Sequence, residues 1–172
     1  MSGVVDDPAE ASGEAADTAD GIEPAPGATP EAPGAPGAPP AFQFAGTTID
    51  GEEFEGADLA GRPVVLWFWA PWCSTCRNQI DQVRALTQAY GDTDVAFVGV
   101  GGLDDASRMK AFADDVDAPA MTQLSDPEGI VWRHFGTTAQ STFLVIDGDG
   151  SRIDSGFMSE ADLNAAIKTS LS

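Results

Sequence analysis

Apolar and polar positions follow two rhythms along this chain, and each change of rhythm marks an element. Val64-Val-Leu-Trp-Phe-Trp69 is a continuous apolar run, the pattern of a strand buried on both faces. Gly61-Arg-Pro63 turns the chain into it. Over 73–90 the period lengthens: Ile80, Val83, Leu86 or Thr87, and Tyr90 share one side, with Asp81, Gln82 and Gln88 opposite. That spacing predicts a helix. Asp94–Val100 predicts a second buried strand, closed by Gly101-Gly102. Met109, Phe112 and Val116 predict the inner face of a second helix, capped by Asp104 or Asp105 and stopped by Asp117-Ala-Pro119.

Met121–Leu124 predicts a short strand, and Pro127–Phe135 a short helix with Pro127 in its first turn. Thr142–Ile146 predicts a strand that Asp147-Gly-Asp-Gly150 turns back into Ser151–Gly156. The last helix opens at Ser159-Glu-Ala-Asp162, a capping-box pattern, and buries Leu163, Ala166 and Ile167. Ahead of all this, Phe42-Gln-Phe44 and Thr47–Phe54, broken by Asp50-Gly51, read as a small hairpin. Two parallel strands joined by a helix, then a helix and an antiparallel pair, specify an α/β fold. Helices flank a central mixed sheet, with an added N-terminal β-hairpin.

Residues 1–40 carry neither rhythm. They hold eight of the twelve prolines, eight acidic residues, no Lys or Arg, and only Met1, Val4, Val5 and Ile22 as larger apolar side chains. Nothing there repays the entropy of ordering, so the sequence predicts a disordered acidic Pro/Ala/Gly-rich tail or tether, reaching about 120 Å at the polyproline rise. Residues 41–172 form the expected folded domain. The net charge of -20 and a pI near 4.1 argue against a nucleic-acid partner, whose phosphates would be repelled.

The two cysteines, Cys73 and Cys76, stand where the buried strand gives way to the first helix. Unpaired N–H groups and the positive end of the dipole favour an ionised thiol there. The thiolate is the species that exchanges disulfides, so the placement points to redox chemistry. A static disulfide between them closes too small a loop to stabilise much. A zinc half-site needs two further ligands, and His134 is the only histidine. No metal and no cofactor are expected.

Trp69-Ala-Pro-Trp-Cys73-x-x-Cys76 after an apolar strand resembles the thioredoxin fold. The longer string from Pro63 to Cys73, with Asp126-Pro-Glu-Gly-Ile-Val-Trp132 and Gln140-Ser-Thr-Phe-Leu-Val145, resembles the extracytoplasmic thioredoxin-like proteins that handle disulfides in actinobacteria. The likeness covers roughly residues 41–170. It implies that Cys73 is the exposed nucleophile and that Cys76, one turn further in, is buried, protonated and resolves the mixed disulfide. Ser74 and Thr75 are then expected to support the helix start with hydroxyl donors. Trp72 is expected as an exposed ring against bound peptide, and Gln140, Ser141 and Thr142 as the segment that pairs with an extended substrate.

Three positions depart from that resemblance. Ser141 stands where the fold usually carries a cis-proline, so Gln140–Ser141 is either trans with a reshaped groove or a cis bond costing about 3–4 kcal/mol. A serine hydroxyl there can also bond Cys73. Trp67 and Gln79 occupy the places of the family's proton-handling acids, leaving water or a distant acid to deprotonate Cys76. Asp81 stands near a common kinking proline. Elsewhere His134 reads as a surface or packing residue and Asp147–Gly150 as a hairpin turn. Gly99-Val-Gly101-Gly102 reads as a strand end, and Trp67 and Trp69 as core.

The implied function is thiol–disulfide exchange with cysteine-containing proteins, leaning mildly to oxidation, with a membrane or soluble redox partner recycling the pair. A cytochrome-maturation type of reductase and a thioredoxin-fold binding module with little turnover are the alternatives. A monomer outside the cytoplasm is expected, secreted or envelope-tethered, although no signal is visible in the chain; a cytoplasmic home is the other reading.

Overall fold

Residues 37–172, which the computed structural model describes, build one seven-stranded sheet. Its strands are β1 (Ala45–Thr48), β2 (Glu53–Glu55), β3 (Val64–Trp69), β4 (Ala96–Gly101), β5 (Met121–Ser125), β6 (Thr142–Ile146) and β7 (Arg152–Gly156), in the order β2-β1-β5-β4-β3-β6-β7. The helices are α1 (Ser74–Ala89), α2 (Ala106–Val116), α3 (Ile130–His134) and α4 (Glu160–Ser170). β3, β4 and β5 run parallel, so the parallel core has a third member beyond the expected two. β6 and β7 complete one side antiparallel, and β1 closes the other against β5. β1 and β2 pair antiparallel across the Asp50-Gly51 turn. Phe42 and Phe44 stand outside that pair; Phe42 lies in a short 3-10 turn, and both rings are buried. Of the tail expected over 1–40, all but residues 37–40 lies outside the described residues.

The alternation of β3 explains why all six of its residues are buried. Val65, Trp67 and Trp69 point into the layer formed with α1, α2 and α4, while Val64, Leu66 and Phe68 point into the layer holding α3 and the N-terminal segment. The end of β4 and the residue after it have glycines where Trp69 and Trp132 need room. A Cβ on Gly101 would stand 2.6–3.0 Å from the Trp69 ring, and one on Gly102 would meet the Trp132 indole at 2.6 Å. What reads as a strand end in the sequence is therefore also a bed for two indoles.

α3 starts at Ile130, later than the predicted Pro127. Asp126 causes the delay: its buried carboxylate accepts from the N–H of Ile130 at 2.7 Å and of Trp132 at 3.0 Å, satisfying the helix's free donors from outside. The chain turns between them through Gly129, at φ 65. Asp126→Ala is expected to cost about 1–2 kcal/mol, the usual loss for a helix cap. A lowered urea midpoint with an unchanged slope checks it; an unchanged midpoint would mean that water caps α3 equally well.

Candidate active site

The sharp exit of β3 into α1 sets the site. Cys73 is the N-cap of α1, and its sulfur accepts the N–H of Cys76 at 3.1 Å. Both cysteines are free thiols. Cys76 is fully buried, as expected, but Cys73 is only 4% exposed, which corrects its description as an exposed nucleophile. It packs among Trp69, Ala70 and Cys76 in the core beneath the α1 start, with Ser141 against it from the β6 side.

Gln140–Ser141 is trans, for no cis peptide occurs among the described residues. Ser141 instead adopts φ 64, the left-handed region that a side chain seldom occupies. Its N–H donates to the Phe68 carbonyl at 2.8 Å, tying this turn to the end of β3. The result places Ser141 Oγ 3.1 Å from both Cys73 Sγ and Cys76 Sγ. Thr142 begins β6 opposite Phe68, and its hydroxyl donates to Ala139 O at 2.8 Å. Gln140 and Thr142, on either side of Ser141 in the chain, are half-buried.

Trp67 and Gln79, expected to stand where related proteins carry proton-handling acids, are bonded to one another. Trp67 Nε1 donates to Gln79 Oε1 at 2.9 Å, and Gln79 Nε2 donates to Ser141 O at 3.4 Å. The space under the dithiol is thus a neutral chain with its hydrogen bonds satisfied. Among the described residues no carboxylate is hydrogen-bonded to either sulfur.

Burial works against ionisation of Cys73, but hydrogen bonds from the Cys76 thiol, the Ser141 hydroxyl and the backbone of Cys76 and Thr75 outweigh it. Together they hold its pKa below the ordinary value of 9.0. Burial, the hydrogen bond to Cys73 and the charge beside it push Cys76 up to about 11, against the opposing pull of Ser141 and the Ala70 backbone. Two thiols one helical turn apart are thereby made unequal. Ser74 and Thr75 are exposed; from this pair it is the Thr75 backbone, rather than a hydroxyl, that acts on Cys73.

Trp72 is 56% exposed, and its Nε1 donates to Leu103 O at 3.2 Å. Leu103, at φ 60 and itself exposed, was not singled out by the sequence, which shows only an ordinary loop leucine. Beside them a cleft of about 220 Å³ is lined by Pro71, Trp72, Arg77, Asp104, Arg108 and Phe112. The Arg77 guanidinium lies 5.2 Å over the Phe112 ring. His134 sits in the other layer, its Nε2 3.1 Å from Ala41 O and its ring against Phe44 and Phe135. Among the described residues no three His, Cys, Asp or Glu side chains converge as a metal site.

A paired dithiol at a helix start, on a mixed sheet of this order, defines a thioredoxin-like protein. Residues 33–162 match the Redoxin family, and the chain belongs to it. Among known proteins it is similar to the soluble secreted antigen MPT53 of Mycobacterium tuberculosis, 36% identical over 112 residues, covering 63% of this chain and 61% of that one. It is also similar to the thiol:disulfide interchange protein DsbE of Yersinia pestis, 30% identical over 112 residues, covering 64% and 57%. Both alignments span less than two thirds of those relatives. Among solved structures, that of MTB dsbF in its mixed oxidized and reduced forms superposes with a TM-score of 0.72 at 38% identity, covering 77% of this chain and 98% of that one.

Proposed function

We propose that this protein is a thiol–disulfide oxidoreductase that exchanges disulfides with cysteine-containing proteins through Cys73 and Cys76. One observation carries the reading: hydrogen-bond donors converge on Cys73 at the α1 N-cap and lower its pKa, while its partner is pushed up to about 11. Near neutral pH one sulfur is then prepared to attack and the other is held in reserve. In the reducing direction the Cys73 thiolate attacks a substrate disulfide, and Cys76 resolves the mixed disulfide. In the oxidising direction a substrate thiolate opens the Cys73–Cys76 bond, and a second substrate thiol releases the reduced pair.

Donors that favour the Cys73 thiolate stabilise the reduced pair, which supports the lean towards oxidation. Trp72, Leu103 and the 140–142 segment serve as the docking surface for the client chain, with Trp72 supplying an amphipathic ring. The similarity to a secreted antigen supports work outside the cytoplasm. There a membrane or soluble redox partner restores the pair, and the protein acts as a monomer whose folded domain is residues 41–172, with 1–40 as its tail or tether.

Equilibration in glutathione buffers, followed by tryptophan emission, tests the reading. A reversible transition is expected, and its midpoint assigns the direction. Iodoacetamide provides the pH test: because Cys73 is shifted down, its alkylation rate should rise with pH and level off below the ordinary thiol value of 9.0, with Cys76 unmodified near neutrality. The binding-module reading, favoured by the shallow exposure of Cys73, predicts the profile of a free cysteine instead.

A further inference from the structure

A hydroxyl equidistant from two thiols has a defined role to play. Ser141 Oγ lies 3.1 Å from each sulfur, and it has one proton to give and lone pairs to receive. It bridges the pair by donating to one sulfur and accepting from the other. Either direction is open at each contact; once Cys73 carries a substrate sulfur, the Cys76 thiol is the partner with a proton to give to the hydroxyl. The bridge is built rather than incidental: Ser141 is 8% exposed, with its N–H on Phe68 O and its carbonyl held by Gln79 Nε2.

The Ser141 N–H and carbonyl are both engaged within the fold, so its hydroxyl is the group left to act on the dithiol. Cys76 meanwhile must lose a proton to resolve a mixed disulfide. Gln79 and Trp67 are bonded to one another, Arg77 faces Phe112 and Asp115, and Asp104 faces Arg108 in the neighbouring cleft. Ser141 is the side chain in contact with both sulfurs.

We propose that Ser141 is a catalytic proton carrier for the dithiol, taking the Cys76 proton as Cys76 attacks. The inference rests on the exchange reading above. Cys73 thiolate first attacks the substrate disulfide, and one substrate sulfur leaves with the electron pair. Cys76 Sγ then attacks Cys73 Sγ; the Cys73–substrate bond breaks as the Cys73–Cys76 bond forms. The Cys76 proton moves to Ser141 Oγ while the hydroxyl's own proton passes to the departing substrate sulfur, which takes the electron pair. The substrate gains two electrons, the dithiol loses two, and the serine ends as it began. In reverse, the same path delivers a proton to Cys76 as the oxidised pair opens.

Ser141→Ala and Ser141→Gly in the full chain test the proposal. Glycine accepts φ 64 without strain, so it separates the hydroxyl from the backbone turn. Reduced protein is mixed with oxidised glutathione, quenched in acid, and the Cys73–glutathione adduct followed by mass. Both variants are expected to accumulate adduct and to resolve it about tenfold more slowly near neutral pH, the effect of one hydrogen bond to a charged group. The deficit should shrink as pH rises towards that of Cys76, because an ionised Cys76 needs no carrier. Wild-type resolution by Ser141→Gly overturns the proposal, as does a deficit equal at every pH. A wild-type protein that forms no adduct and does not cycle with glutathione removes the exchange reading, and this inference with it.

Discussion

Cys73→Ser is expected to reduce disulfide exchange to the uncatalysed background, whereas Cys76→Ser should leave the first attack intact and trap the substrate. The asymmetry follows from the local chemistry. The α1 N-cap, the Cys76 amide and the Ser141 hydroxyl act on Cys73, so a serine there keeps the hydrogen bonds but has no thiolate to attack with. Cys76 is fully buried and pushed up to about 11, so it attacks only a sulfur already delivered to it by Cys73. A peptide disulfide, incubated with each reduced variant and resolved by non-reducing mass analysis, distinguishes them. Near-stoichiometric adduct on Cys76→Ser and none on Cys73→Ser is the expected pair of results. Adduct on Cys73→Ser would make Cys76 the nucleophile and reverse the roles assigned by the helix start.

The elements that locate this site were legible in the chain because they depend on local pattern. Six consecutive apolar residues specify a strand buried on both faces, and Met109, Phe112 and Val116 at helical spacing are the buried face of α2. The capping signals at Asp105 and Ser159 act where they are written, each accepting an N–H three residues on. Long-range geometry is another matter. A Ser141 bond to Cys73 was legible in Gln140-Ser-Thr142, but its left-handed turn and its reach to Cys76 were not, since those depend on its tie to Phe68, far away in sequence. Trp67 and Gln79 could be recognised as replacements for acids but not as partners of each other, because their bond joins β3 to α1 in three dimensions. The near-complete burial of Cys73 and the Trp72–Leu103 bond likewise come from packing between segments. The α3 start was missed for a comparable reason: Asp126 caps it across a turn, from outside the helix.

That hidden Trp67–Gln79 bond makes the other large effect a stability effect. Trp67→Ala is expected to lower unfolding free energy by about 3–5 kcal/mol, the range for emptying a buried aromatic site. The ring is fully buried, stacked on Phe143 at 6.2 Å and packed against Trp69 and Phe112. A domain of this size holds only about 5–15 kcal/mol in total, so the variant should unfold at a markedly lower urea concentration. Trp67→Phe separates packing from polarity. It retains much of the ring but withdraws the indole N–H, leaving Gln79 Oε1 buried without its donor, a loss of about 1–3 kcal/mol. Because Gln79 also holds the Ser141 carbonyl, the same variant should loosen the turn that sets Ser141 against the sulfurs and alter the alkylation profile of Cys73. Urea midpoints measured beside iodoacetamide rates read both effects. If Trp67→Phe matches the wild type in each, the bond to Gln79 contributes neither stability nor alignment, and the neutral chain beneath the dithiol is packing alone.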